Sequence, residues 1–332
     1  MVNRFVTAAL LTVIACGTFT TANAESAYSR PVGTDHQSVY WTLFANADFP
    51  QVQIAEVPLI KKAKVASIDS TPQNNLIETS GVAFDNAGRF WILSYGEVNG
   101  VPTSALVFDP PITRSSTPAI TLVLNGTVDA DGLAFDPSGN LWVSSPGNES
   151  VVEYTGPFTE SGEPTPATVL TAGINNPFAV AVDKKGNVYI SNNASTGTNS
   201  IAVEKPPYTG QPYFLNGLTG PGGLIFDSDG NLYASSSGTP PAVVRYNRNH
   251  LKNGDLPSIV DSAGLRPTSY EAAFAFTATG DLYAANCGNE NTAGIQVWPL
   301  STERFGKRLK PSVRYTNKKI LQQGCAWGIA IQ

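Results

Sequence analysis

The sequence predicts an all-β fold, a six-bladed β-propeller of four-stranded blades whose last blade is closed by a C-terminal strand joining three N-terminal strands. Three observations carry that prediction. A sixteen-residue pattern occurs five times at blade-length spacing, the composition suits short strands and turns, and the two chain ends complete one another.

The five copies are "GVAFDNAGRFWILSYG" (81–96), "GLAFDPSGNLWVSSPG" (132–147), "AVAVDKKGNVYISNNA" (179–194), "GLIFDSDGNLYASSSG" (223–238) and "AFAFTATGDLYAANCG" (273–288). Their starts lie 51, 47, 44 and 50 residues apart, the period of a four-stranded blade. Each is an alternating apolar strand, a four-residue turn ending in Gly, and a second strand with an early aromatic. Third strands follow ("SALVFDP", "SVVEYTG", "NSIAVEK", "AVVRYNR", "GIQVWPL"), then fourth strands such as "ITLVLNG" and "PSVRYTN".

Only 14% of the residues are charged, against roughly a quarter in an average globular chain. Gly (30) and Pro (24) take up much of the difference, which favours turns over helices. A net charge of −5 excludes a polybasic nucleic-acid binder.

The ends supply the sixth blade. The chain finishes "WGIAIQ" (327–332), a first strand that stops where its turn would begin. Residues 38–59 parallel the second and third strands of the fifth copy, and "AKVASID" (63–69) supplies a fourth strand. The closing blade is therefore expected from 38–69 plus 328–332, which leaves the ring without an open edge. Cys287 ends the second strand of blade five and Cys325 precedes the first strand of blade six, so a disulfide between them is expected in an exported protein.

Residues 1–24 read as a secretory signal peptide: Arg4, an apolar stretch from Phe5 to Ala15, and a small-residue site at Ala22-Asn23-Ala24. A second reading stands beside it, because Val13-Ile14-Ala15-Cys16 resembles a bacterial lipobox in which Cys16 is acylated. Either way the chain is expected to be exported, as a periplasmic protein, an outer-membrane lipoprotein or a secreted one. Residues 25–37 form a linker and 38–332 one domain, expected to be monomeric. No run reaches the roughly 18 apolar residues of a transmembrane helix.

Asp85, Asp136, Asp183 and Asp227 each open a turn that closes on a Gly, with Thr277 at that place in the fifth copy. A residue type present in four blades at one site has a scaffold role. Trp91, Trp142, Tyr189, Tyr233 and Tyr283 are likewise expected to pack between blades.

Function is expected where the copies differ, in the triplets leading into the innermost strands: "ETS" (78–80), "DAD" (129–131), "NPF" (176–178), "GPG" (220–222), "YEA" (270–272) and "CAW" (325–327). With the exits of the second strands they place Glu78, Asp129, Asp131, Asn176, Asn192, Asn193, Glu271 and Asn286 about the channel mouth. Carboxylates and amide oxygens are the ligands of a hard cation, so Glu78, Asp131, Asn176 and Glu271 form a candidate Ca²⁺ set. Ordinary solvated loop residues are the simpler reading of the same positions.

The repeated motif G-(L/V/I)-A-(F/V)-D-x-x-G-N-(L/V)-(W/Y) resembles the NHL-repeat propellers, the gluconolactonase/senescence-marker family and the streptogramin-lyase-like proteins. That resemblance implies the six-bladed architecture across the whole mature chain, and it leaves the activity open. The gluconolactonase-like reading implies a Ca²⁺-dependent lactonase, with Asp131-Gly132 matching the family's Asp-Gly and Asp131 as catalytic candidate. Departures are the family's Glu-Gly-Pro, here Glu78-Thr79-Ser80-Gly81, and its Asn-Gly, here Asn176-Pro177-Phe178. Histidine-based lyase chemistry has no candidate, since His36 and His250 both fall away from the mouth. The favoured expectation is a binding module that takes a small polar ligand or a protein partner on the loop face. Finally, "RFGKRLKPSVRYTNKK" (304–319) with Lys61, Lys62 and Lys64 forms a basic rim, read first as edge protection and second as an anionic-surface contact.

Overall fold

The computed structural model describes residues 37–43, 51–69, 76, 78–95, 102–113, 115–193, 199–238, 241–261, 270–287, 293–300, 311–317, 320 and 325–332. The signal segment with Cys16, nearly all of the linker, and residues 304–310, 318 and 319 of the basic run lie outside the described residues.

Six four-stranded antiparallel sheets form a ring. Blade one runs Thr79–Phe84, Phe90–Ser94, Ser104–Phe108 and Ile120–Val123, from the axis outward. Blade two is Leu133–Phe135, Leu141–Ser145, Ser150–Tyr154 and Pro166–Leu170. Blade three is Pro177–Val182, Val188–Asn192, Ser200–Glu204 and Tyr213–Leu215; blade four is Pro221–Phe226, Leu232–Ser236, Ala242–Tyr246 and Ser258–Asp261. Blade five is Tyr270–Phe276, Leu282–Cys287, Gly294–Trp298 and Val313–Tyr315. Blade six takes Ile329–Ile331 from the C-terminus and Ser38–Leu43, Gln51–Glu56 and Ala66–Asp69 from the N-terminus. Val39, Tyr40 and Trp41 pair with Ile331, Ala330 and Ile329, which is the expected closure. No helix among the described residues is long and apolar enough to cross a membrane.

The repeated residues hold the blades as the sequence implies. Asp136 Oδ1 accepts from the Ser138 and Asn140 amides at 2.8 and 2.9 Å, and its Oδ2 accepts from Asn140 Nδ2 at 2.9 Å. Asp85, Asp183 and Asp227 repeat this bracing, and Thr277 Oγ1 accepts from the Asp281 amide and shares a hydrogen bond with Thr279 Oγ1, both at 2.9 Å. The Asn that follows the turn Gly in three blades is thereby explained: it closes the carboxylate's second oxygen.

Between blades the aromatics pack edge to face. Trp91 meets Phe135 at 5.0 Å, Tyr189 meets Phe226 at 4.9 Å and Tyr233 meets Phe276 at 5.3 Å. Blade three has Val182 where those blades place a Phe, and Trp142 packs instead on Tyr208 at 5.1 Å. Tyr283 reaches blade six by accepting the Leu59 amide at 3.1 Å. Each such contact contributes about 1 kcal/mol beyond burial.

A second device, nearer the axis, was not read from the sequence. Ser144 Oγ accepts from the Gly132 amide and donates to the Phe178 carbonyl of the next blade, both at 2.8 Å. Thr42 does the same between Gly328 and Ser80, both at 2.7 Å. Blade one has Leu93 at that position, and Ser80 Oγ compensates by donating to the Ala130 carbonyl at 2.6 Å. These hydroxyls need the inner strands very close together. A Cβ on Gly132 would lie 2.8 Å from the Phe178 oxygen, and one on Gly328 would lie 2.5 Å from that of Ser80.

Candidate functional site

Four of the six innermost strands begin with one irregularity. In blades one, three, four and five the register shifts near the strand start, between Thr79 and Val82 in the first and Pro177 and Val180 in the third. The residue that opens the triplet is left-handed in four blades: Glu78 (φ 42°), Asp129 (57°), Asn176 (45°) and Gly220 (55°). Outside glycine, Asn and Asp tolerate that conformation best. In three of the blades the carbonyl of that residue then accepts from the second strand's exit: Tyr95, Asn193 and Ser237 donate to Glu78, Asn176 and Gly220.

Three of the mouth residues singled out in the sequence thus have a backbone role shared between blades. Further members are engaged locally. Asn176 Nδ2 donates to the Asn193 carbonyl at 2.8 Å. Asn192 is buried; its amide nitrogen donates to the Gly173 carbonyl at 2.7 Å and its oxygen accepts from the Asn175 amide at 3.2 Å. Asn286 is buried between blades five and six, and its carbonyl accepts the Ala326 amide at 3.3 Å. Glu271 pairs with Asn286 in the blade-five ladder, and its side chain lies outside the described residues.

The third letter of each triplet behaves differently. Ser80, Asp131, Phe178, Gly222, Ala272 and Trp327 occupy the same place in successive blades, yet they share no chemistry. Three of them, Asp131, Phe178 and Trp327, line an axial cavity of about 70 Å³ to which all six innermost strands contribute. The remaining walls are glycine, alanine and aliphatic or phenyl groups, among them Gly81, Gly223 and Ala273. Blades three and six are opposite in the ring, and the rings of Phe178 and Trp327 meet across the axis at 5.1 Å between centroids.

Asp131 is partly exposed as a residue, but its Oδ1 atom is sealed from solvent and has no hydrogen-bond partner. Burial, and then the neighbouring Asp129 carboxylate, push its pKa up to about 8, so the group holds its proton at neutral pH. Glu78 is also raised, by burial and by the same Asp129. Among the described residues the acids of the mouth therefore lie together on the blade-one and blade-two side.

Among the described residues, which leave out the Glu271 side chain, the expected calcium set does not come together. A hard dication takes six to eight oxygens. Asp131 is the one side-chain oxygen donor among the residues that line the cavity. Among the described residues no three His, Cys, Asp or Glu side chains come together as a metal-holding group.

The two cysteines meet as expected: Cys287 and Cys325 form an isolated antiparallel bridge with their Cα atoms 4.1 Å apart.

No protein-family model and no curated protein matches this chain. Solved structures do. A protein of unknown function from Bacteroides caccae superposes with a TM-score of 0.58 at 14% identity, covering 89% of this chain and 98% of its own. A streptogramin B lyase gives 0.55 at 11% identity, over 89% and 91% of the two chains. A gluconolactonase from Xanthomonas campestris gives 0.52 at 13% identity, over 87% of each. At such identities the likeness is one of fold, and on that level the chain is a six-bladed β-propeller like those it resembles.

Proposed function

We propose that this chain is an exported propeller that binds a small ligand at the channel mouth. The observation that carries the reading is the axial cavity: Asp131, one of whose carboxyl oxygens is buried and unpartnered, shares its wall with Trp327 and Phe178. A concave, largely apolar pocket with one well-placed polar group is the usual form of a ligand site. The expected Cys287–Cys325 disulfide belongs to the same proposal, because export permits it and it would pin the two ends of the ring closure together.

The metal-dependent lactonase reading has less support. It rests on a fold shared with a gluconolactonase and on Asp131-Gly132. Gly132 has a scaffold reason of its own, the close approach to Phe178.

A thermal-shift screen of small polar compounds tests the proposal, run on the native chain, on Asp131→Asn and on Trp327→Ala. Hits that raise the native Tm and lose their effect in both variants are expected. Calcium-dependent turnover of a lactone panel, abolished in Asp131→Asn, would replace this reading with the enzymatic one.

A further inference from the structure

Among the described residues the cavity is lined by one acidic group and no counter-charge. Asp131 is the single ionisable side chain lining the cavity among the described residues, and Lys, Arg and His are missing from its walls. Its Oδ1 is buried without a donor. A buried carboxyl without a partner is costly unless something supplies a positive charge and a hydrogen bond. Beside it stands Asp129, whose Oδ2 lies near Gly147, and Glu78 is a further carboxyl coupled to Asp129.

The other walls define what kind of cation fits. A metal ion would need several converging oxygens, and Asp131 supplies the one side-chain oxygen donor among the residues that line the cavity. What shares the cavity with Asp131 instead is hydrocarbon and the aromatic rings of Phe178, Phe274 and Trp327. Aromatic faces attract cations that carry their charge on methyl or methylene groups, and such contacts strengthen when desolvated. A space of about 70 Å³ has room for roughly five water-sized groups at about 15 Å³ each.

We propose that the cavity takes a small organic ammonium ion, its charge paired with the Asp131 carboxyl and its carbon groups against Trp327 and Phe178. This rests on the reading of the mouth as a ligand site and gives that site a ligand class.

The test is calorimetric titration of the native chain with four probes: methylammonium chloride, tetramethylammonium chloride, tert-butanol as a neutral shape mimic, and CaCl₂. At least one ammonium ion is expected to bind, tert-butanol and calcium are not, and Asp131→Asn should weaken the cation at least ~10-fold. Trp327→Leu, which keeps bulk without a π face, should weaken tetramethylammonium by roughly 3-fold or more. Melting curves verify that both variants are folded. Equal binding of tert-butanol, unaffected by Asp131→Asn, would overturn the ammonium class and leave the mouth a ligand site. Calcium binding lost in Asp131→Asn, with no ammonium binding, would overturn both. Silence of all four probes overturns the ammonium class, and the compound screen above then decides separately whether the mouth binds anything.

Discussion

Asp136 and Asp131 stand five residues apart in blade two, and their surroundings are opposite. Asp136 opens the outer turn of a hairpin and accepts three hydrogen bonds from Ser138 and Asn140. Asp131 opens the strand nearest the axis; its Oδ1 has no donor and burial holds the carboxyl near neutral. One carboxylate is repeated in four blades because each blade needs the same turn. The other occurs once, in a place where successive blades carry Ser, Phe, Gly, Ala and Trp. A polar group that every repeat satisfies in the same way belongs to the scaffold. A polar group left unsatisfied in one repeat is available to something else.

The largest effect tests the frame that both residues share. Removing Trp327–Gln332 takes away the inner strand of blade six and opens the ring; differential scanning calorimetry should show no cooperative transition. An unchanged melt would refute the closure. Next, Cys325→Ser should lower stability by about 4 kcal/mol if the 38-residue span is cross-linked in the exported protein. Mass spectrometry of alkylated native protein checks the same point, because two readily labelled thiols would disprove the bridge.

The comparison itself predicts substitutions of opposite sign. Asp136→Ala leaves the Ser138 and Asn140 donors without their acceptor and should cost about 2–3 kcal/mol in denaturant unfolding. Asp131→Asn should instead stabilise the chain at alkaline pH. Unfolded, Asp131 titrates near 4; folded, near 8. Between those values the folded chain holds a proton that the unfolded chain has released, so stability falls as pH rises through the window. The full contribution is present below about pH 4 and is lost by about pH 8. The melting advantage of Asp131→Asn should therefore grow from pH 5 to pH 8, by at most about 1.4 kcal/mol per pH unit. A pH-independent difference between the two proteins would mean that Asp131 is not desolvated.

Legibility in the sequence follows the same division. The turn aspartates, the interblade aromatics and the composite blade were all readable, because each is a local pattern copied at a fixed period. The hydroxyls of Thr42 and Ser144 were visible only as small polar residues, since their partners, Ser80 and Phe178, belong to the next blade and lie 38 and 34 residues away. At the mouth, sequence position identified the right loops and ranked their residues imperfectly. Glu78, Asp129 and Asn176 share a left-handed backbone site, and Asn192 pins a loop. Trp327 and Phe178 were noted only as letters in their triplets, although they meet across the axis. A signal was there: the third letter of each triplet is the position where the blades disagree most.

By itself the sequence determined the number of blades, their strand order, the closure and the turns, because strand alternation is short-range and repeats five times, and the Asp-to-Gly turn repeats four times. Only the tertiary structure decided which acid is isolated. Desolvation of Asp131 depends on six strands from distant parts of the chain converging on one axis, where two aromatic rings from opposite blades line the same cavity.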